Sequence, residues 1–164
     1  GNAEVDALIR EARAQLNQIA AANDAIADPA LSRQIEDIEA TCRLILQRLE
    51  EQPNMLSQLR TFLRYYLPAT LKLLNARAAL EAEVSAGQSA DIAARIAKAV
   101  EQVQSAFHKQ LDALNEFRFI NLESEMDVMR DMLKADGLID EETGDDPFSD
   151  VLKPRGGQKP MTSP

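Results

Sequence analysis

Apolar residues in this chain recur at alternating steps of four and three, and few other patterns restrict a fold so narrowly. Val5, Ile9, Ala12, Leu16, Ile19 and Ile26 follow this rule, with Asn23 on the same line. Leu31, Ile35, Ile38, Cys42, Ile45 and Leu49 repeat it, with Leu44 and Leu46 widening the apolar face. Such spacing places one stripe along a helix and requires other helices to cover it. The spacing predicts helix one over 3–27 and helix two over 29–51. Asp28-Pro29 between them reads as an N-cap followed by proline at the first helical position, so the chain turns there.

Gln52-Pro53-Asn54 breaks the second helix. Helix three is expected over 55–84, through Leu56, Leu59, Leu63, Tyr66, Thr70 and Leu73. Pro68 falls inside this run. It lacks an N–H and crowds the carbonyl four residues back, at a cost of about 3 kcal/mol in an ordinary helix interior. Because the apolar spacing continues beyond it, the expectation is a kink, with Tyr66 in the core and Tyr65 at its edge.

After a turn at 85–88, helix four begins near Ser89 or Ala90 and carries Ile92, Ile96, Val100, Val103, Phe107, Leu111 and Leu114. A separate short helix is expected from Ser124, with Asp127 as an acidic capping-box partner and Gly137 as its C-cap. The predicted fold is all-α. It is an elongated antiparallel bundle of about four long helices, helix three kinked at a proline, plus a short C-terminal helix.

Charge is concentrated toward the C-terminus. Residues 1–122 carry 16 acids against 13 bases, a net −3, whereas residues 123–150 carry 11 against 2, a net −9. A helical domain over 1–138 is therefore expected to be followed by an acidic, flexible tail over 139–164. No basic stripe suited to nucleic acid is present. The start at Gly1-Asn2-Ala3, without methionine, reads as the interior of a longer protein. Any membrane association is expected only through segments outside this chain, and the chain itself is expected in the cytoplasm.

Chemistry-bearing motifs are few. Cys42 and Arg48 have the spacing of cysteine-nucleophile phosphatases, but the intervening residues lie mid-helix, where their amides are already bonded and cannot cradle a phosphate. Cys42 should be a buried thiol. His108, the single histidine, is expected to pair with Asp112 on the surface, and Glu36, Asp37 and Glu39 to form a solvated face. No metal set or cofactor is implied, and no catalytic residue is assigned.

The run from Phe62 to Leu74, with Tyr-Tyr-Leu-Pro-Ala-Thr-Leu-Lys-Leu-Leu at its centre, and the later Met126 to Leu138 segment resemble the XpaC-like bromochloroindolyl phosphate hydrolysis proteins of bacteria. The resemblance covers roughly residues 31–138. It implies an association with cleavage of a chromogenic phosphate ester and with toxic-anion (tellurite) resistance proteins. It supplies no catalytic residues to carry over.

Two readings follow. The first is a helical interaction or regulatory module with a protein partner, its binding surface built from Arg64, Tyr65, Tyr66, Pro68, Thr70 and Lys72. The second is a phosphomonoester hydrolase acting on such aryl phosphates, for which Arg60, Arg64 and Lys72 would supply cations.

Overall fold

The computed structural model describes residues 2–84 and 86–140. Five α-helices are present among the described residues: α1 (Ala3–Asp24), α2 (Pro29–Glu51), α3 (Leu56–Thr61), α4 (Leu67–Ala79) and α5 (Gly87–Ala135). Short 3₁₀ turns occupy Pro53–Met55 and Glu81–Glu83, and a π-helical turn, Phe62–Tyr66, joins α3 to α4. There is no strand among the described residues. The fold is an all-α helical bundle. The chain divides into two compact units, Gly1–Asn115 and Glu116–Pro164.

In the first unit the 4-3 stripes become the core. Val5, Ile9, Ala12, Leu16, Ile19 and Ile26 are all buried, as are Leu31, Ile35, Ile38, Cys42, Ile45 and Leu49. Leu46 joins them, whereas Leu44 is exposed. Asn23 lies buried on the seam, and its Oδ1 has no hydrogen-bond partner among the described residues. The turn between α1 and α2 forms as its residues dictate: the Asp28 carboxylate accepts the amides of Ala30 at 3.0 Å and Leu31 at 3.2 Å, with Pro29 opening α2. An ion pair between Arg13 and Glu50 ties α1 to α2.

Helix three, made of α3, the π turn and α4, runs parallel to α1. Glu4 meets Arg60 and Arg64 at one end, and the Ala27 amide meets Glu81 Oε1 at 2.9 Å at the other. Parallel packing of the first and third helices follows from short connections, because each one reverses the chain. The Glu81 contact is anchored from within, since the same carboxylate holds Arg77 at 2.7 Å, and the Arg77 side chain is only 5 % exposed. Helix α4 ends at Ala79, short of the expected 84.

The second unit contains the C-terminal part of α5. The separate short helix expected from Ser124 does not exist: Ser124 and Asp127 lie inside α5, which runs unbroken to Ala135. No glycine or proline stands between Leu114 and Ser124 to stop the helix, so a capping-type pair there has no terminus to cap. The stop comes at Gly137, with φ of 72°. There the Leu138 amide bonds the Leu133 carbonyl at 2.8 Å and the Gly137 amide bonds that of Lys134 at 3.0 Å. This is a Schellman cap, which needs the left-handed backbone that glycine adopts without strain. The expected flexible tail lies, from residue 141 onward, outside the described residues.

Candidate functional site

Two surfaces of the first unit collect chemically distinctive residues. The first is built around Pro68. The helix passes the proline through a widened turn immediately before it: the Leu67 amide donates to the Phe62 carbonyl, five residues back. Wide turns of this kind are rare and occur often at functional sites. More residues in one turn move the inward-facing position from 66 to 67, so Leu67 is fully buried and Tyr66 is 57 % exposed. This corrects the expectation that Tyr66 is core. Tyr65, at 68 %, stands further out than an edge position. The Thr70 hydroxyl, buried, donates to the Tyr66 carbonyl at 2.7 Å, which satisfies it locally.

The six residues expected to form one binding surface separate. Arg64 turns to α1, where it and Arg60 share Glu4 at 3.3 and 3.2 Å. Those two cations are therefore engaged with a carboxylate. Tyr65 and Lys72 are exposed and Pro68 is half-buried. Tyr66 and Thr70, with Phe62, Ala69 and Leu73, line a groove closed on its other side by Val103, Ala106, Phe107 and Gln110 of α5. The groove has a volume of about 290 Å³ and is mainly apolar. Phe62 and Phe107 meet edge-on within it, ring centroids 4.8 Å apart at 64°, a favoured aromatic geometry.

The second surface lies between α2 and α5. His108 does not pair with Asp112. Its Nε2 lies 2.6 Å from Asp37 Oδ2, and Gln104 Nε2 donates to the same oxygen at 2.8 Å. The hydrogen bond from Gln104, then that from His108 and its charge, hold the Asp37 carboxyl below the usual carboxylate range, against an opposing desolvation. Gln104 also lines an open groove of mixed polar and apolar character, about 460 Å³, with Asp28, Leu31, Arg33, Gln34 and Glu101. Sequence reasoning missed this cluster because its members meet across two helices 67 and 71 residues apart in the chain.

The expected solvated acidic face is also corrected. Glu39 is buried, and its burial pushes the carboxyl above the usual range despite Arg43 at 3.6 Å. Cys42 is fully buried, and desolvation raises its thiol to about 12. Arg48 faces Asn115 at 3.4 Å and Glu51 at 3.8 Å. A thiol so placed is neither ionised nor accessible at neutral pH, and the Cys42/Arg48 spacing carries no nucleophile chemistry. Among the described residues no group of three or more His, Cys, Asp or Glu side chains is placed to hold a metal ion, and no helix is long and apolar enough to cross a membrane.

The family model described as 5-bromo-4-chloroindolyl phosphate hydrolysis protein matches residues 3–129. The chain belongs to this family. The match starts at α1 and so takes in the first helix as well as the tyrosine–proline segment and both grooves. Comparison with curated proteins and with solved structures returns no match.

Proposed function

We propose that this member of the 5-bromo-4-chloroindolyl phosphate hydrolysis protein family is a helical interaction and regulatory module that engages a protein partner through helix three. The observation that carries this reading is the pair Tyr65 and Tyr66, both more than half exposed at the end of the π turn, with Tyr66 bordering an apolar groove. Tyrosines are favoured anchors at protein interfaces, since each ring offers a large contact area with one polar tip. The toxic-anion (tellurite) resistance proteins implied by the sequence resemblance are the first partners to try. Titration of such a partner with the purified chain should give saturable binding. A Tyr65→Ser, Tyr66→Ser variant with unchanged helix content should weaken it by at least tenfold. Equal binding by the variant would refute the reading.

A second reading, hydrolysis of an aryl phosphomonoester, is favoured by the Asp37–His108–Gln104 cluster and by the family description. An imidazole oriented by a carboxylate is a competent proton-transfer or nucleophilic group. Release of the indoxyl chromophore from 5-bromo-4-chloroindolyl phosphate by the purified chain, with and without added divalent metal, tests it directly.

A further inference from the structure

We infer that His108 accepts a phosphoryl group at its Nδ1, with Asp37 holding the ring and the Arg33 side of the neighbouring groove receiving the phosphate. This inference rests on the hydrolytic reading for its phosphoryl donor, an aryl phosphomonoester.

The argument starts from one oxygen. Asp37 Oδ2 receives Gln104 Nε2 at 2.8 Å and lies 2.6 Å from His108 Nε2. An ionised carboxylate has no hydrogen to give, so the hydrogen of the shorter contact sits on His108 Nε2. In the neutral imidazole the lone pair is then on Nδ1. Gln104 constrains the carboxylate from a second direction, which limits the ring to a narrow set of orientations. Stability alone gives little reason for this arrangement: the His108 and Asp37 side chains are 49 % and 42 % exposed, and exposed ion pairs add little to stability.

The groove beside the cluster supplies a cation. Arg33 lies one helical turn before Asp37 on α2 and lines the groove with Gln104. It forms no ion pair with the described residues, whereas Arg13, Arg43, Arg48, Arg60, Arg64 and Arg77 each have a carboxylate partner. A guanidinium without a carboxylate is available to a phosphate's oxygens, and its planar fork suits them. Glu101 and Asp28 on the same groove oppose a dianion, which leaves Arg33 as the group there suited to one, reached from His108 past Gln104, the residue shared by the cluster and the groove.

In the step itself the Nδ1 lone pair forms an N–P bond while the P–O bond to the aryl group breaks. The electron pair leaves on the aryl oxygen, which takes a proton from water. The ring becomes an N-phosphorylated imidazolium, and its positive charge develops against Asp37, the role a carboxylate plays behind a catalytic histidine. Water then attacks phosphorus, the N–P electrons return to Nδ1, and inorganic phosphate leaves with the water's oxygen. No oxidant, reductant or metal is required.

The experiment incubates the full chain with 5-bromo-4-chloroindolyl phosphate, quenches in alkali, where phosphohistidine survives, and locates any added phosphate by mass spectrometry and ³¹P resonance. The expected result is a single label on His108 Nδ1, with label and turnover both lost by about 100-fold or more in His108→Gln. Cys42→Ala should keep both. Asp37→Asn should slow labelling and divide it between the two ring nitrogens, which a merely structural role for Asp37 would not do. Turnover without label, undiminished in His108→Gln, would overturn the inference and leave the hydrolytic reading standing. Label without turnover would support phosphoryl acceptance by His108 and refute hydrolysis. Neither label nor turnover would overturn both.

Discussion

The Leu67 amide reaches the Phe62 carbonyl, one residue further back than an α-helix would allow. That one bond places Leu67 in the core and leaves Tyr66 outside it. A π turn of this kind is equivalent to a single extra residue in a continuous helix. Removing one residue there should therefore restore α geometry with the core intact. Deletion of Tyr65 combined with Pro68→Ala is expected to fold with wild-type helix content and an equal or higher Tm. Deletion of exposed Lys72 should instead rotate Leu74 and Arg77 off the seam by about 100°, at a cost of roughly 3 kcal/mol or more. Paired thermal and denaturant melts decide the matter; equal damage from both deletions would show that the widened turn is required for folding.

Arg77 and Glu81 form a part-buried pair whose carboxylate also caps the Ala27 amide. Removing the carboxylate leaves the nearly enclosed Arg77 guanidinium unpaired, whereas removing the cation leaves a more exposed carboxylate that still accepts the Ala27 amide. Glu81→Ala should destabilise by about 2 kcal/mol, while Arg77→Met should be close to neutral. Urea titrations of both variants measure the order, and a reversed order would contradict this account.

Two glutamates should act on stability with opposite pH signs. Glu81 is held below the ordinary glutamate range, by the Ala27 amide first and Arg77 next. Its contribution is present above the unfolded-state pKa and is lost as pH falls through the lower folded value. Glu39 is raised by burial, so its folded form binds the proton more tightly than the unfolded chain does, and stability declines as pH rises from the unfolded-state value through the higher folded one. Glu39→Gln should accordingly raise Tm at pH 7 and leave it unchanged well below the ordinary glutamate pKa. Tm profiles from pH 3 to 8 test both signs.

Cys42 should behave as a buried apolar side chain. With its thiol near 12 and fully enclosed, it should resist a thiol reagent at pH 8 in the folded protein and react fully in denaturant. Cys42→Ser should cost about 1–3 kcal/mol through an unpartnered hydroxyl. Rapid modification of the native protein would contradict this placement.

Much of the helical framework was legible in the residues. The 4-3 spacing from Val5 to Ile26 and from Leu31 to Leu49, the Asp28-Pro29 start and the Gly137 stop all act through contacts within a few residues, so their effects can be read locally. Where those signals were ambiguous, as at Ser124, nothing in the intervening sequence opposed continuation, and the helix ran on. Misreading began where one backbone bond changed the count: with Phe62 to Leu67 closed as a π turn, Tyr66 and Leu67 exchanged the places that simple spacing assigns them.

Local sequence thus determined which segments are helical, where most of them begin and end, and which stripe each must bury. Tertiary structure alone decided the rest: Asp37 with Gln104 and His108, Glu4 with Arg60 and Arg64, and Glu81 with Ala27. Those partners lie 54 to 71 residues apart. A helical stripe specifies the face turned inward, but only the packed neighbours fix the height at which a polar side chain meets another across the groove.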